Sequence, residues 1–361
     1  MALPSVLLHD HLDGGLRPET VLDLAAEYGY QDLPSSTESG LKAWFDQAES
    51  GSLETYLEAF EHTIGVMQAS EALERVAHEA ALDLAADGVV YVESRFCPQL
   101  HTRGGLAPRQ VIEAVSAGFA RGEAETGIRW VLIIDALRQF DWSMDMARLA
   151  ASSRDLGVVA FDLAGPEAAH PPSVHLAACR HARESGLRLT IHAGEAGGSN
   201  GVAYMASAMD VCGAERLGHG VEVVQDCVLE DGEVVKLGAV ASRIRDRQIP
   251  LEMCPASNLA VSRLAASAHP IGALYRAGFN VTLNTDNRLM SNTSMSKEFE
   301  FVEVHHGFAV SDLASITKRA VAAAFCDYTT KVALWEETIA PAYLSAGASL
   351  TPVWRWLCER W

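Results

Sequence analysis

A few polar side chains stand out because each closes a run that is otherwise apolar. His9 and His11 end VLLHDH (6–11), and His192 ends LRLTIH, followed at once by Glu195 in HAGE. His219 ends ERLGH within LGHG, and Asp286 and Asn287 close NTDN (284–287). Three imidazoles and one carboxylate, His9, His11, His192 and Asp286, form the donor set of a catalytic Zn²⁺ site that keeps a coordination position open. Alternation along a strand sends His9 and His11 to the same side, so one strand can offer two ligands to one ion. A lone strand histidine is ordinarily a hydrogen-bonded structural residue. The coincidence at matching ends of separate strands is what argues for a metal. Asp10 and Leu12 alternate the other way and are expected to face surrounding helices. Glu93 and Arg95 read as a structural ion pair, and Asp135 and Asp162 as structural carboxylates. His305 and His306 are neighbours on a helical stretch, point in different directions, and are expected to lie apart from the site.

Such residues need a scaffold that brings strand ends to one place. Eight short Val/Ile/Leu-rich runs recur: 6–11, 89–96, 129–137, 158–165, 187–195, 215–220, 249–258 and 280–287. Amphipathic stretches lie between them, including 108–126, 175–185, 232–247 and 271–277, several closed by a glycine just past the last periodic residue. Parallel strands need crossover helices, so eight alternating units predict an α/β fold, a (β/α)₈ TIM-type barrel, ahead of a doubly wound open sheet. In such barrels the C-terminal strand ends carry the chemistry, and the polar residues fall at those ends. Residues 12–88 form a helical insertion after strand one, read as helices over 18–28, 53–67 and 71–86 and placed to cover the rim. The chain after Asn287 reads as extra C-terminal helices (312–325, 328–344) with a tryptophan-rich tail at Trp354, Trp356 and Trp361. Without a Pro/Gly/Ser linker or a repeat, residues 1–361 read as a single domain.

The 361 residues are 49% hydrophobic and 21% charged, an ordinary globular composition. A formal net charge of −19 argues against nucleic acid as a partner, since polyanion binders gather basic patches. No run approaches the roughly 18 apolar residues of a membrane span, and the start MALPSVLLHD does not read as a signal peptide. Seven scattered cysteines without a CxxC pair suit a reducing, cytoplasmic setting better than a disulfide framework.

HDHLDG (9–14), DLAG (162–165), HAGE (192–195), ERLGHG (215–220), CPASN (254–258) and NTDN (284–287) together resemble the motifs of the adenosine deaminase family, in the family's order and across most of the chain. The resemblance implies a metal-dependent barrel that converts adenosine to inosine and ammonia with one Zn²⁺ per chain, held by His9, His11, His192 and Asp286. It implies Glu195 as proton donor to purine N1, which requires a protonated carboxyl, and His219 as the group that orients and deprotonates the attacking water. Asp286 would also accept a hydrogen bond from that water. For the substrate, a purine nucleoside, it implies contacts from His11, from Asp13 to the ribose 5′-hydroxyl, and from the Gly165 backbone N–H to N3. Asn287 departs from the second aspartate of the animal members. Purine N7 accepts only, so an asparagine amide donates to it without first being protonated. Gly14 and Gly15 are expected to allow a sharp exit from the strand.

Alternatives remain at this point. One is another 6-aminopurine nucleoside with a modified 5′ group, such as aminodeoxyfutalosine, decided by a lid between residues 30 and 70 where Trp44, Phe45 and Phe60 could face the ligand. A second is a catalytically inactive nucleoside-binding relative, which would be expected to lack a ligand or Glu195. A two-metal amidohydrolase would want a bridging lysine on strand four, and VVAFDLAG has none. A nucleotide is disfavoured, because there is no glycine-rich phosphate loop and Asp13 would repel a 5′-phosphate. The sequence leaves the oligomeric state open.

Overall fold

The computed structural model describes residues 3–47, 50–262 and 264–350. Eight parallel strands run in the order β1 (Ser5–His11), β2 (Val89–Phe96), β3 (Arg129–Leu137), β4 (Val158–Ala164), β5 (Arg188–Ala193), β6 (Arg216–His219), β9 (Leu251–Met253) and β10 (Val281–Leu283). Closure between the first and last strands comes just beyond β10. Asp10 bridges Asp286, with His11 N–H donating to Asp286 O at 2.9 Å and Asp286 N–H to His9 O at 3.0 Å. One rung lower the Asn284 side chain stands in for backbone, its Oδ1 accepting from Leu8 N–H at 2.9 Å. The predicted (β/α)₈ barrel is therefore the observed fold.

The strands are apolar on both faces because helices cover the outside and packed side chains fill the inside. The helical insertion holds α1 (Pro18–Tyr28), α2 (Glu38–Phe45), α3 (Leu53–Glu58), α4 (Phe60–Val66) and α5 (Ser70–Ala86). The stretch read as one helix over 53–67 is two, meeting at Ala59. Its start is fixed by Ser52, whose Oγ accepts from Thr55 N–H, a typical N-cap. Helix α6 (Pro108–Thr126) has the predicted limits, and the C-terminal helices include Val310–Ala323. Trp354, Trp356 and Trp361 lie outside the described residues. No described helix is long and apolar enough to cross a membrane.

Further elements differ from expectation, the strand expected over 280–287 being Val281–Leu283 alone. Residues 232–247 are not one helix: β7 (Cys227–Glu230) and β8 (Glu233–Leu237) form a hairpin before a helix at Ala239–Asp246. The cause is Asp231-Gly232, both at positive φ (50° and 79°), the two-residue turn that fits strand twist. In the stretch 249–258 only Leu251–Met253 is strand, and a helix starts at Pro255.

Glu93 and Arg95 do not pair with each other. Side chains two apart on a strand occupy successive layers of the barrel interior, so each finds its partners on other strands. Arg95 donates to Asp162 (2.7 Å) and Glu252 (2.9 Å), and Arg216 donates to Glu93 (2.6 Å) and Glu252 (2.6 Å). All five side chains are buried. They form an ionic floor beneath the C-terminal rim.

Candidate active site

On that rim, β1 presents His9 and His11, β5 ends with His192, and the segment after β10 supplies Asp286. Their ligand atoms all lie within 4.8 Å of one another. His11 Nε2 is 3.2 Å from His192 Nε2 and 3.4 Å from Asp286 Oδ1, and His9 Nε2 is also 3.4 Å from Asp286 Oδ1. Ligands about 2.1 Å from a tetrahedral ion stand about 3.4 Å apart, which matches these separations.

The opposite ring nitrogens show what the group is built for. His9 Nδ1 meets Glu252 at 2.9 Å, His11 Nδ1 meets Asp135 at 3.3 Å and His192 Nδ1 meets Asp162 at 2.9 Å. A carboxylate on Nδ1 fixes the proton there and leaves the Nε2 lone pair pointing inward, the arrangement that orients metal-binding imidazoles. Three lone pairs and a carboxylate oxygen then face one another, and His9 Nε2 is buried with no hydrogen-bond partner. Such a cluster is repulsive until a cation fills it. The surroundings favour positive charge there: burial pulls His11 down, but the hydrogen bond and charge of Asp135, with Asp286, outweigh it and raise the ring to about 9, so without an ion a proton on His11 takes the place of the cation. The donor set fits a single divalent ion. Asp135 and Asp162, read from sequence as structural, therefore brace two of the candidate ligands. Glu252, which sequence reasoning passed over, braces the third; a lone carboxylate between Leu251 and Met253 in an apolar strand was its signal.

Glu195 and His219 flank the cluster, with Glu195 Oε1 3.6 Å from His219 Nε2. Burial, together with the charges of Asp286 and Glu167, raises the Glu195 carboxyl well above its usual range, which favours the neutral acid. Burial likewise holds His219 well below its usual value, leaving a neutral ring. Its tautomer follows from Asn258. Cys254 N–H donates to Asn258 Oδ1 (3.3 Å), so Nδ2 is the atom that donates to His219 Nδ1 at 3.0 Å. The His219 proton therefore sits on Nε2 and faces the site as a donor, where the family resemblance implied a base. Ser257 Oγ donates to Asp286 Oδ2, which gives Ser257 and Asn258 of CPASN their roles.

Two of these residues sit in unusual backbone. His219 (φ 60°) and Asp286 (φ 58°) occupy the left-handed region, which costs a non-glycine residue about 1–3 kcal/mol each. Strand geometry alone would aim them elsewhere.

A cavity of about 370 Å³ opens beside the cluster, within the usual range for small-ligand sites. Asp13, Gly165, Glu195, His219 and Asn287 line it together with His11, His192 and Asp286. Gly165 has φ 88°, a conformation that demands glycine and presents backbone to the cavity. Asp13 is buried, with Oδ1 lacking a partner and Oδ2 3.6 Å from His101 Nε2. Gly14 and Gly15 are not at positive φ; their requirement is space, since a Cβ on Gly14 would meet Asn287 Oδ1 at 2.2 Å. The insertion roofs the cavity with Leu53, Tyr56, Leu57, Phe60 and Ile64. Phe60 lines it as expected, whereas Phe45 is buried in the core and Trp44 is outside the lining. His305 and His306 lie at the end of the helix Met295–His306, away from the cluster.

The model of the adenosine deaminase family matches residues 4–341 of the chain. The adenosine deaminase of Mycobacterium marinum is 48% identical over 347 residues, covering 94% of this chain and 95% of that protein. Adenosine deaminase 1 of Streptomyces coelicolor is also 48% identical over 347 residues, covering 94% and 87%. Among solved structures, an adenine deaminase from Arthrobacter aurescens superposes with a TM-score of 0.83 at 26% identity, covering 96% of this chain and 100% of that one.

Proposed function

The chain belongs to the adenosine deaminase family, and from that premise we propose that residues 1–361 act as a single domain that hydrolyses adenosine and 2′-deoxyadenosine to inosine, 2′-deoxyinosine and ammonia in purine salvage. The observation that carries this reading is the Glu195 carboxyl, pushed by burial toward the neutral acid, facing a cavity that opens beside the cluster of His9, His11, His192 and Asp286.

Zn²⁺ is an ion that three imidazoles and a carboxylate suit; His9, His11, His192 and Asp286 would hold it, and it would supply Lewis acidity towards water. The chain's own residues do the rest. Glu195 donates its proton to N1 as a C6–O bond forms, so the ring does not accumulate negative charge. His219 Nε2–H donates to the incoming oxygen, and Asp286 accepts from it. When the C6–N6 bond breaks, one of the two water protons leaves with the amine as ammonia and the other restores the Glu195 carboxyl. Asn287 donates to N7, the Gly165 N–H to N3, and Asp13 accepts from the 5′-hydroxyl, which favours a nucleoside over the free base. The unpaired cysteines among the described residues agree with a reducing cytoplasm as the working compartment.

The test is metal analysis of the purified protein alongside the absorbance change of adenosine conversion, in wild type and Glu195→Gln. One zinc per chain, with turnover lower by about 10²–10⁴-fold in the variant, is expected. Absence of metal, equal rates in both proteins, or turnover of adenine in preference to adenosine would overturn the reading.

A further inference from the structure

Glu195 lies beyond the end of β5, in the loop 194–198, where no strand pairing holds it. What holds the loop is a carboxylate from the neighbouring β4 turn. Glu167 is 1% exposed. Its Oε1 accepts from Gly194 N–H at 2.8 Å, and its Oε2 accepts from Glu195 N–H and Ala196 N–H at 2.9 Å each. Three consecutive amides thus converge on one buried carboxyl group, the central one belonging to Glu195 itself. The next two, Gly197 and Gly198, are taken by Glu222 at 3.0 Å each. Bonds of N–H groups to an ionised carboxylate are the strong, short kind, so the loop has little freedom to slide.

The other end of the same strap matters equally. Glu167 stands two residues beyond Gly165, whose left-handed backbone faces the cavity. Purine N1 and N3 flank C2 on one edge of the ring, and the proposed partners of those two nitrogens are Glu195 and Gly165. One side chain therefore ties together the two loops that read this edge.

We propose that Glu167 is a positioning residue: it sets the spacing between the Gly165 N–H and the Glu195 carboxyl, and so places the proton that N1 receives. The inference rests on the assignment of Glu195 as proton donor. Misplacement of a reacting group by about 1 Å can cost about 10²-fold in rate, and binding contacts made by the sugar are untouched. Glu167→Gln, which cannot accept all three amides with an NH₂ in place of one oxygen, is expected to lower kcat by about 10–100-fold. KM should stay within about threefold, and zinc content should be unchanged. Glu167→Asp keeps the charge and shortens the reach, and should fall between the two even if the Gln variant is poorly folded.

A double-mutant cycle supplies the readout that a purely structural role would not move. Once Glu195 is Gln, adding Glu167→Gln should cause no further loss of kcat. Additive losses, or wild-type kcat in both Glu167 variants, would overturn the proposal. If Glu195→Gln alone retained wild-type turnover, the assignment of the donor would fail instead, and the two failures are thereby distinguished.

Discussion

Glu252 is the residue on which the metal cluster and the ionic floor depend jointly. Its Oε2 accepts from His9 Nδ1 and Arg95, and its Oε1 accepts from Arg216 and from Thr190 Oγ1 at 2.9 Å. Glu252→Gln keeps the shape but removes the charge and turns one acceptor into a donor. That donor must face either His9 and Arg95 or Arg216 and Thr190, so one arginine meets an N–H in place of an acceptor whichever way the amide lies. Each arginine keeps one carboxylate, Asp162 or Glu93, yet breaking a fully buried pair typically costs about 3–5 kcal/mol. For 361 residues the unfolding entropy is roughly 0.76 kcal/mol/K, so Tm should fall by about 4–7 °C.

The second consequence is specific to the site. Without a carboxylate on Nδ1 the His9 ring loses its fixed tautomer, and metal affinity should weaken by about 10–100-fold. Thermal melts with and without chelator, and competition titration of zinc, measure the two effects separately. Thr190→Val serves as control, removing one hydrogen bond to Glu252 worth about 1 kcal/mol while leaving His9 alone. Wild-type Tm and zinc affinity in Glu252→Gln would refute the whole argument. A lower Tm with wild-type zinc affinity would show that Glu252 serves the arginines only.

Two further outcomes follow from other contacts. Asn287→Leu removes the amide beside Gly14 and should lower kcat/KM for adenosine by about 10–100-fold, the loss of one buried hydrogen bond or two, with zinc content intact; a metal-free variant would mean that Asn287 has been misassigned. Glu298, which accepts from Thr293 Oγ1 at 2.7 Å, is raised by burial from its ordinary 4.5 to about 8. Its folded form favours the neutral acid, so its contribution is present in full below pH 4.5 and is lost as pH rises through 8. Between pH 6 and pH 9 the wild type should lose at most about 3 kcal/mol that Glu298→Gln does not, measured by denaturant unfolding at both pH values; parallel losses would sink the assignment.

The barrel was legible because eight apolar runs, each ending in polar residues, leave few other arrangements of parallel strands. Strands 89–96 and 129–137 have the limits read from sequence, since each is a run dense in β-branched, aromatic and aliphatic residues. The hairpin at 227–237 was missed although its Asp-Gly turn was visible, because Val234, Val235 and Leu237 also satisfy a helical period over so short a span. At the site, His9, His11, His192 and Asp286 could be found because a polar residue closing an apolar strand is anomalous by itself. The residues that brace these four as candidate ligands were harder to see. Asp135, Asp162 and Glu252 lie inside strands, where a carboxylate reads as structural until its cross-strand neighbour is known.

That distinction also explains why the roles of His219 and Glu195 needed coordinates. Sequence order places both at strand ends, but neither the proton on His219 Nε2 nor the preference of Glu195 for the neutral acid is a property of the residue itself. The first is dictated by Asn258, whose own orientation is fixed by the amide of Cys254. The second is dictated by burial, with the charges of Asp286 and Glu167 adding to it. Left-handed backbone at His219 and Asp286 shows the same dependence from another side, since the fold holds both in a conformation that isolated residues avoid. Motifs therefore name the groups proposed to meet substrate, while tautomer, protonation and aim are set by carboxylates and amides from other strands. Substitutions there should alter catalysis without touching any group that contacts the purine.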